Sequence, residues 1–218
     1  MKISQGILWP FVAIGGYFLT SCLCHYIIFP EALPTDQNYP RQGDIILNAS
    51  AGERVQFVKD RFQGNPNEVI IEVELGAHGS IPMSHVHINM NEVFTGLEAQ
   101  TSLEVNGTVH TLENSQSVTV AAGAPHLPYN ASATPSKIQV AMEPIGSFDL
   151  CLVNIHRTLA KEPSEQSWLS QQLQLSRYAY FCDVYRGDIP VWVQQAGLFF
   201  ITPTIRALGY HAWKATTP

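Results

Sequence analysis

The pattern of apolar and polar residues divides the chain into three parts. The first is an apolar run from Ile7 to Phe29, 23 positions without a charged residue. At about 1.5 Å per residue, a helix of this length crosses the roughly 30 Å hydrocarbon core of a bilayer. The pattern therefore predicts an N-terminal transmembrane anchor within residues 1–30, followed by a proline-containing linker over residues 31–42.

Two other interpretations of the apolar run stay open. A cleaved signal peptide usually has an apolar region of about 7 to 15 residues, whereas this one continues through Ile28 and Phe29. Leu19–Cys22 resembles a bacterial lipobox, although the residues after the cysteine stay apolar. Lys2 is the only basic residue before the run. The positive-inside rule therefore favours a single-pass membrane protein whose main domain lies on the non-cytoplasmic side.

Short β-type segments fill the middle of the chain. Glu68–Leu75 alternates apolar and polar residues, which is typical of a half-buried strand. Asn106-Gly107 lies between two β-type runs within Ser102–Leu112 and predicts a hairpin, because both positions of a type I′ turn need positive φ. The other predicted strands are Arg54–Val58, the His85 segment, Val93–Leu97, Ser117–Val120, Lys137–Met142 and Leu150–Ile155. A small antiparallel barrel or double sheet over residues 43–156 buries one face of each strand.

Helical spacing of apolar residues is found in the C-terminal region, residues 157–218. It predicts one helix over residues 163–187, which Ser164 can cap, and a second over residues 190–201, which ends before Pro203. The second helix carries a stretch that is apolar on all sides but too short to cross a bilayer. It packs on the β domain or on a partner subunit, as in a homodimer, or it lies in the membrane interface.

Composition narrows the choice of partners. The formal net charge is −6, only 14% of the residues are charged and no basic run occurs, so the chain lacks the positive surface that binds nucleic acid. Cys22 and Cys24 lie in the apolar run, and no Cys-x-x-Cys pair indicates a zinc ribbon. A bridge between Cys151 and Cys182 stays open.

The candidate chemistry lies in the segment that ends at Glu92. His85 and His87 stand two apart, so both side chains point to the same face of a strand, and Glu92 follows five residues later. His126 supplies a third imidazole after a later strand. Three imidazoles and one carboxylate suit a divalent transition metal such as Fe, Mn, Ni, Cu or Zn, with one or two positions left for water or substrate.

Two segments together resemble the motifs of the cupin superfamily, in particular its small single-domain RmlC-like members. Gly79, His85, His87 and Glu92 match the first motif, G-x5-H-x-H-x3,4-E-x6-G, and Gly123, His126 and Asn130 match the second, G-x5-P-x-G-x2-H-x3-N. The resemblance covers about residues 43–145. It implies an all-β core, an antiparallel β-barrel of the jelly-roll or double-stranded β-helix type. It also implies that His85, His87, Glu92 and His126 coordinate one divalent metal inside that barrel.

Three turn positions depart from these motifs. Ala99 and Ser115 stand where the family has glycine, and Ala121 stands where it has proline. Substitutions at turns alter backbone geometry and leave the four ligand positions intact.

The resemblance does not determine one activity, because the family includes dioxygenases, decarboxylases, isomerases, sugar-binding regulators and storage proteins. We slightly favour a membrane-tethered, metal-dependent and dioxygenase-like enzyme that acts on a small molecule. The alternative is a non-catalytic protein that binds a small molecule or a metal. An acid or base beside the metal would favour the enzyme, and the candidates are Glu143, His78 and Tyr129.

Overall fold

The computed structural model describes residues 5–28, 34–48, 52–81, 83–161 and 164–213. Helix α1 (Gln5–Leu23) begins this part of the chain and continues as a π-helical turn over Cys24–Ile28. The 20 residues Trp9–Ile28 have a mean hydropathy of 1.6, so the segment is long and apolar enough to cross a membrane. A signal sequence has the same properties, so this finding agrees with the predicted anchor but does not establish it.

The strands of the β domain follow a short 3-10 turn, Asp36–Asn38, within the predicted linker. They are β1 (Ile45–Asn48), β2 (Glu53–Lys59), β3 (Val69–Leu75), β4 (His85–Val86), β5 (Asn91–Glu98), β6 (Thr101–Val105), β7 (Thr108–Leu112), β8 (Ser117–Val120), β9 (His126–Tyr129), β10 (Ser136–Glu143) and β11 (Tyr185–Arg186).

These strands form two sheets. The larger has the order β1-β2-β3-β10-β5-β8 and the smaller has the order β11-β4-β9-β6-β7. Each pairing between these named strands is antiparallel. The expected antiparallel double sheet is confirmed, whereas the described strands do not close into a barrel. The outer strands β1 and β8 have four residues each, which limits the number of unpaired backbone groups at these edges.

The hydrophobic core lies on the inner face of the larger sheet. Along β3, Val69, Ile71, Val73 and Leu75 are buried and alternate with partly exposed residues, as the sequence pattern predicts. On the neighbouring strand β2, one carboxylate shares this inner face with apolar residues, because Glu53 is 4% exposed.

Turn geometry follows the sequence closely. Asn106 and Gly107 have φ values of 51° and 77° and join β6 to β7, so the predicted type I′ hairpin is confirmed. Ala99 and Ser115, which stand where the resembled motifs have glycine, also have positive φ values of 53° and 66°. These two turns therefore keep the left-handed backbone conformation without glycine.

The predicted strand Leu150–Ile155 is wrong, because this segment lies in helix α2 (Phe148–Leu159). Its apolar run is too short to separate a buried strand from a helix by sequence pattern alone. In the structure, Leu150, Asn154 and Thr158 are buried at a spacing of four residues, which is the period of one helix face.

Both C-terminal helices differ in their bounds from the prediction. Helix α3 (Trp168–Phe181) begins after Ser167, whose side chain accepts a hydrogen bond from the Ser170 backbone N–H, and it ends before β11. Helix α4 (Val191–Ala207) continues through Pro203. Proline removes one hydrogen bond from the helix, but Pro203 and the adjacent Thr202 are buried, and this packing favours the continuous helix.

Candidate metal centre

Three strand segments bring the four predicted ligands together. His85 lies on β4 and pairs directly with His126 on β9. His87 follows β4, and Glu92 lies near the start of β5. One ligand atom from each of these four residues lies within 4.8 Å of the others, so the group is positioned to bind a metal ion.

The distances within the cluster fit a shared ion. His126 Nε2 lies 2.7 Å and His87 Nε2 lies 3.9 Å from Glu92 Oε2. Neighbouring ligand atoms of one transition metal are about 3 Å apart when each bond is about 2.1 Å long. Small side-chain movements would therefore complete a coordination shell.

Buried ligand atoms in the cluster have no hydrogen-bond partner among the described residues: His87 Nε2, Glu92 Oε2 and His126 Nε2. His126 Nε2 and Glu92 Oε2 are close enough for an ion pair if the imidazole is protonated, whereas His87 Nε2 is 3.9 Å from the same oxygen. Buried polar atoms are rarely left unsatisfied, because the loss of hydration costs about 1–3 kcal/mol for each group. The donor set therefore fits a bound cation.

Backbone carbonyls select the tautomer of each imidazole. His87 Nδ1 lies 2.6 Å from the Asp183 carbonyl oxygen, His126 Nδ1 lies 3.1 Å from that of Ala124, and His85 Nδ1 lies 3.4 Å from that of Met83. A carbonyl only accepts hydrogen bonds, so Nδ1 carries the proton. Each Nε2 is then left with the lone pair that a metal needs.

Burial and mutual charge shift the pKa values of the cluster. Burial raises the pKa of Glu92, but the three imidazoles outweigh burial and lower this pKa to about 2. Burial, together with His126 and His87, lowers the pKa of His85 well below its usual range. Burial also lowers the pKa of His126, but the contact with Glu92 outweighs burial, so the pKa of this imidazole is raised. The carboxylate is therefore ionised at neutral pH and supplies negative charge to a cation.

Asp183 holds the segment that carries His87, and the sequence prediction missed it. Its carboxylate accepts hydrogen bonds from the backbone N–H groups of Ile88 and Asn89 at 3.0 and 2.8 Å, and its carbonyl accepts from His87. The neighbouring Cys182 forms a disulfide with Cys151 of α2, which settles the bridge that the sequence left open. No spacing motif links Asp183 to His87, 96 residues away.

A cavity of about 520 Å³, partly open to solvent, adjoins the cluster. His85 and Glu92 line it, and Phe148 of α2 lines it while its ring packs edge-on against His87 with the centroids 4.5 Å apart. Tyr185 of β11 is a further wall residue. A small molecule in this space would reach the ligand atoms from the side of His85.

Outside the cluster, the three weaker candidates lie away from the described cavity wall. Glu143 is exposed at the end of β10 and accepts a hydrogen bond from Asn65. His78 is exposed in a turn, and Tyr129 is partly buried on β9. The structure therefore does not bring Glu143, His78 or Tyr129 together with the four ligands.

A second buried histidine–carboxylate pair lines the same cavity. His156 Nε2 of α2 lies 3.0 Å from Glu53 Oε2 of β2, and His156 Nδ1 lies 2.9 Å from the Leu152 carbonyl oxygen. The sequence gives no motif context for His156, whose partner is 103 residues away. Only the burial of a carboxylate on an apolar strand face could have drawn attention to it.

Comparison with known proteins gives structural neighbours only. No family model matches the chain, and no curated protein matches it. A predicted oxalate decarboxylase from Thermotoga maritima is 13% identical, with a TM-score of 0.42, over 52% of this chain and 99% of that chain. A cupin-superfamily sugar phosphate isomerase from Silicibacter pomeroyi is 19% identical, with a TM-score of 0.40, over 48% of this chain and 66% of that one.

A recombinant oxalate oxidase in complex with glycolate is 14% identical, with a TM-score of 0.40, over 51% of this chain and 61% of the other. This chain thus spans less than two thirds of the oxidase and of the isomerase. An RmlC-like cupin from Shewanella frigidimarina is 16% identical, with a TM-score of 0.40, over 53% of this chain and 92% of that one.

Proposed function

We propose that the chain binds one divalent transition metal through His85, His87, Glu92 and His126 and uses it to act on a small molecule. The observation that supports this proposal is the convergence of four ligand atoms within 4.8 Å in a largely buried site. When bound, such a metal supplies Lewis-acid chemistry or, for Fe, Mn and Cu, one-electron chemistry.

The residues of the chain prepare this site before any ligand arrives. The Glu92 carboxylate supplies one negative charge, and the backbone carbonyls at Asp183 and Ala124 keep the ring protons on Nδ1. His85 is the ligand that is partly exposed to the cavity, so the wall beside it orients a small molecule at the cluster. The mainly apolar wall also lowers the local polarity, which strengthens electrostatic interactions at the site.

Dioxygenase-like chemistry is the reaction class that we favour. The other carboxylate and imidazole on the described cavity wall, Glu53 and His156, are paired with each other. Neither is positioned as a free general acid or base. This arrangement favours oxidation of a substrate by dioxygen, for which a metal held by His85, His87, Glu92 and His126 would supply the one-electron chemistry. The same observation favours a second candidate, a non-catalytic protein that binds a small molecule or a metal.

Membrane attachment through α1 completes the proposal. The helix is long and apolar enough to cross a bilayer. The Cys151–Cys182 disulfide supports a main domain on the non-cytoplasmic side, because disulfides persist mainly in oxidising compartments. Alkaline carbonate extraction checks the attachment: the full chain should stay in the membrane pellet, and its release would contradict an integral anchor.

Elemental analysis of the purified full chain tests the metal site. We expect about one equivalent of transition metal, since four ligands bind one ion. The H85A/H87A variant should lose it because two of the four ligands are gone. H110A/H211A is the matched control, since it also removes two imidazoles but leaves the cluster intact. Unchanged metal content in H85A/H87A would rule out the site.

Oxygen consumption separates the two candidate functions. Metal-loaded protein is mixed with phenolic, keto-acid and thiol compounds, and uptake that H85A/H87A lacks supports the dioxygenase-like enzyme. A protein that holds its metal but consumes no dioxygen with any of these compounds supports the binding role.

A further inference from the structure

The cavity beside the cluster is much larger than an ordinary packing defect. Its volume is about 520 Å³. Protein interiors contain few voids larger than a water molecule, and even an apolar cavity of about 150 Å³ can bind a molecule the size of benzene. Pockets for small molecules usually have about 300–1,000 Å³, so this cavity has the size of a binding site.

The wall of the cavity is mainly hydrocarbon. The inner face of the larger sheet forms one side, and α2, α3 and α4 form the other. Apolar wall residues from these elements include Val73, Phe94, Val140, Leu152, Leu175 and Leu198. A ligand in this space would therefore bury most of its own surface against aliphatic and aromatic side chains.

Several polar residues on the wall are already committed to partners within the protein. Glu53 contacts His156, and the Gln194 amide donates hydrogen bonds to the carbonyl oxygens of Arg186 and Ile189. Glu92 and its neighbouring histidines, by contrast, keep buried atoms without hydrogen bonds. Among the described wall residues, the cluster alone has such buried unsatisfied atoms, so it is the attachment point for a polar end group.

The cavity opens at α4. Gly197 lines it and is exposed, and a Cβ atom at this position would meet no atom within 4 Å. Glycine inside a helix costs about 1 kcal/mol relative to alanine, so its presence there is unfavourable for the helix alone. Ile201, one turn further along, also lines the cavity and is 42% exposed. These two wall residues are exposed, and they mark an entrance of the cavity at α4.

This entrance lies beside the candidate membrane helix. Phe199 and Phe200 of α4 pack against Phe18 and Tyr17 of α1, with ring centroids 5.4 and 5.9 Å apart. The Tyr17 hydroxyl also donates to the Phe200 carbonyl oxygen. The helix that carries the entrance therefore contacts the helix that we propose to lie in the bilayer.

Large apolar side chains are exposed on both helices near this contact. Leu19 on α1 and Trp192 on α4 are 69% and 71% exposed. Soluble proteins rarely present extended apolar surfaces to water, and such surfaces mark sites of contact with membranes or partners.

We infer that the cavity binds a single-chain amphiphile, with its oxygen-containing end group at the metal cluster and its aliphatic chain extending towards Gly197. The inference rests on the proposed metal site and names the substrate class of that site. The ligand enters between α4 and the α1 contact, from the bilayer or from water.

Photo-labelling of the full chain in lipid nanodiscs tests this assignment. The probe is a 12-carbon alcohol with a diazirine in mid-chain, and labelled peptides are quantified by mass spectrometry. We expect saturable labelling of peptides that contain Leu175 and Leu198, displaced by excess 1-dodecanol but not by oxalate. Labelling that is not saturable, or that oxalate displaces, would overturn the inference.

Matched variants on α4 locate the entrance. G197L fills the opening and should reduce labelling of the cavity peptides about tenfold, since the side chain occupies the path of the probe. A196L changes the neighbouring exposed residue, which does not line the cavity, and should label as the unaltered chain does. Equal labelling of G197L and A196L would contradict the assigned entrance. Unchanged metal content in both variants shows that they are folded.

The order of events after the probe is added to the water distinguishes the two sources of the amphiphile. Cavity labelling that follows partitioning of the probe into the nanodisc supports supply from the membrane, and labelling that precedes partitioning supports supply from water. Metal content in the same samples separates this inference from the proposed function. If the protein holds its full metal content but the cavity peptides are not labelled, only the amphiphile inference is overturned. If labelling is saturable in protein without metal, the metal site is overturned, and the cavity stays assigned to a hydrocarbon chain.

Discussion

Two buried histidine–carboxylate pairs lie at the same cavity but differ in the number of further imidazoles that converge on the carboxylate. In the first, His126 Nε2 lies 2.7 Å from Glu92, and His85 and His87 converge on the same point. In the second, His156 lies 3.0 Å from Glu53, and its other ring nitrogen faces the Leu152 carbonyl oxygen. No further imidazole joins the second pair within the described clusters.

The difference separates a ligand site from a structural contact. Both nitrogens of His156 face acceptors, so a doubly protonated imidazole satisfies that pair without any added group. A proton on His126 Nε2 would satisfy its contact with Glu92 in the same way, but His87 Nε2 is also buried without a hydrogen bond and His85 converges on the same point, so one proton does not satisfy the cluster. The first pair is therefore the one for which we propose metal binding, whereas the second attaches α2 to β2.

The same substitution at the two carboxylates tests this comparison. E92Q keeps the volume of the side chain but removes the anionic ligand. Because a four-ligand metal site has a binding free energy of about 10–16 kcal/mol, loss of one ligand should weaken metal binding about 100-fold or more. Competition with a chelating dye measures the change. Wild-type affinity in E92Q would contradict the ligand role of this carboxylate.

E53Q should have the opposite phenotype. It leaves the His156 imidazole buried without its counter-charge, and breaking one side of a buried ion pair typically costs about 3–5 kcal/mol. For a protein of this size that corresponds to a decrease in Tm of roughly 6–20 °C, measured by calorimetry on metal-free protein. The metal content of E53Q should equal that of the unaltered chain. A decrease would contradict a purely structural role for the Glu53–His156 pair.

The pH dependence of this stability difference gives a second check. Burial lowers the pKa of His156, but contact with Glu53 outweighs burial and raises the pKa above 6.5. A group whose folded-state pKa is raised stabilises the fold fully below its unfolded pKa and loses this effect as the pH rises through the folded pKa. The Tm gap between the unaltered chain and E53Q should therefore be larger at pH 6 than at pH 9.

A smaller effect is expected at Asp183, which supports a ligand without touching the ion. D183A removes the acceptor for the Ile88 and Asn89 backbone N–H groups and should weaken metal binding about 10- to 100-fold. D183N is the matched control, because it retains one acceptor oxygen and tolerates the positive φ of 48° at this position. D183N should bind metal more tightly than D183A, and equal affinities would contradict the orienting role.

The clustering of the four candidate ligands could be predicted because they lie in two short segments. A spacing of two residues places His85 and His87 on one strand face, and motif resemblance adds Glu92 and His126. The Asn106-Gly107 hairpin was equally accessible, since its turn needs two residues with positive φ. In each case the sequence pattern that makes the prediction lies within a few neighbouring residues of the chain.

The missed features depend on contacts between distant segments. Asp183 meets His87 across 96 residues, and Glu53 meets His156 across 103. Neither pair has a spacing that a sequence pattern can show. The apolar residues from Leu150 to Ile155 fit the spacing of a buried strand as well as that of a helix, so the sequence pattern predicts a strand where the structure has α2. Only packing against the sheet selects the helix.

X-ray absorption spectroscopy at the metal edge tests the central claim most directly. The purified full chain is loaded with Zn²⁺, and the fine structure reports the number and type of ligands. We expect about three imidazole nitrogens and one carboxylate oxygen at roughly 2.0–2.2 Å. E53Q should give the same spectrum, and E92Q should lose the carboxylate contribution. A spectrum without imidazole scattering, or one that E53Q changes and E92Q does not, would contradict the assignment of the metal centre to His85, His87, Glu92 and His126.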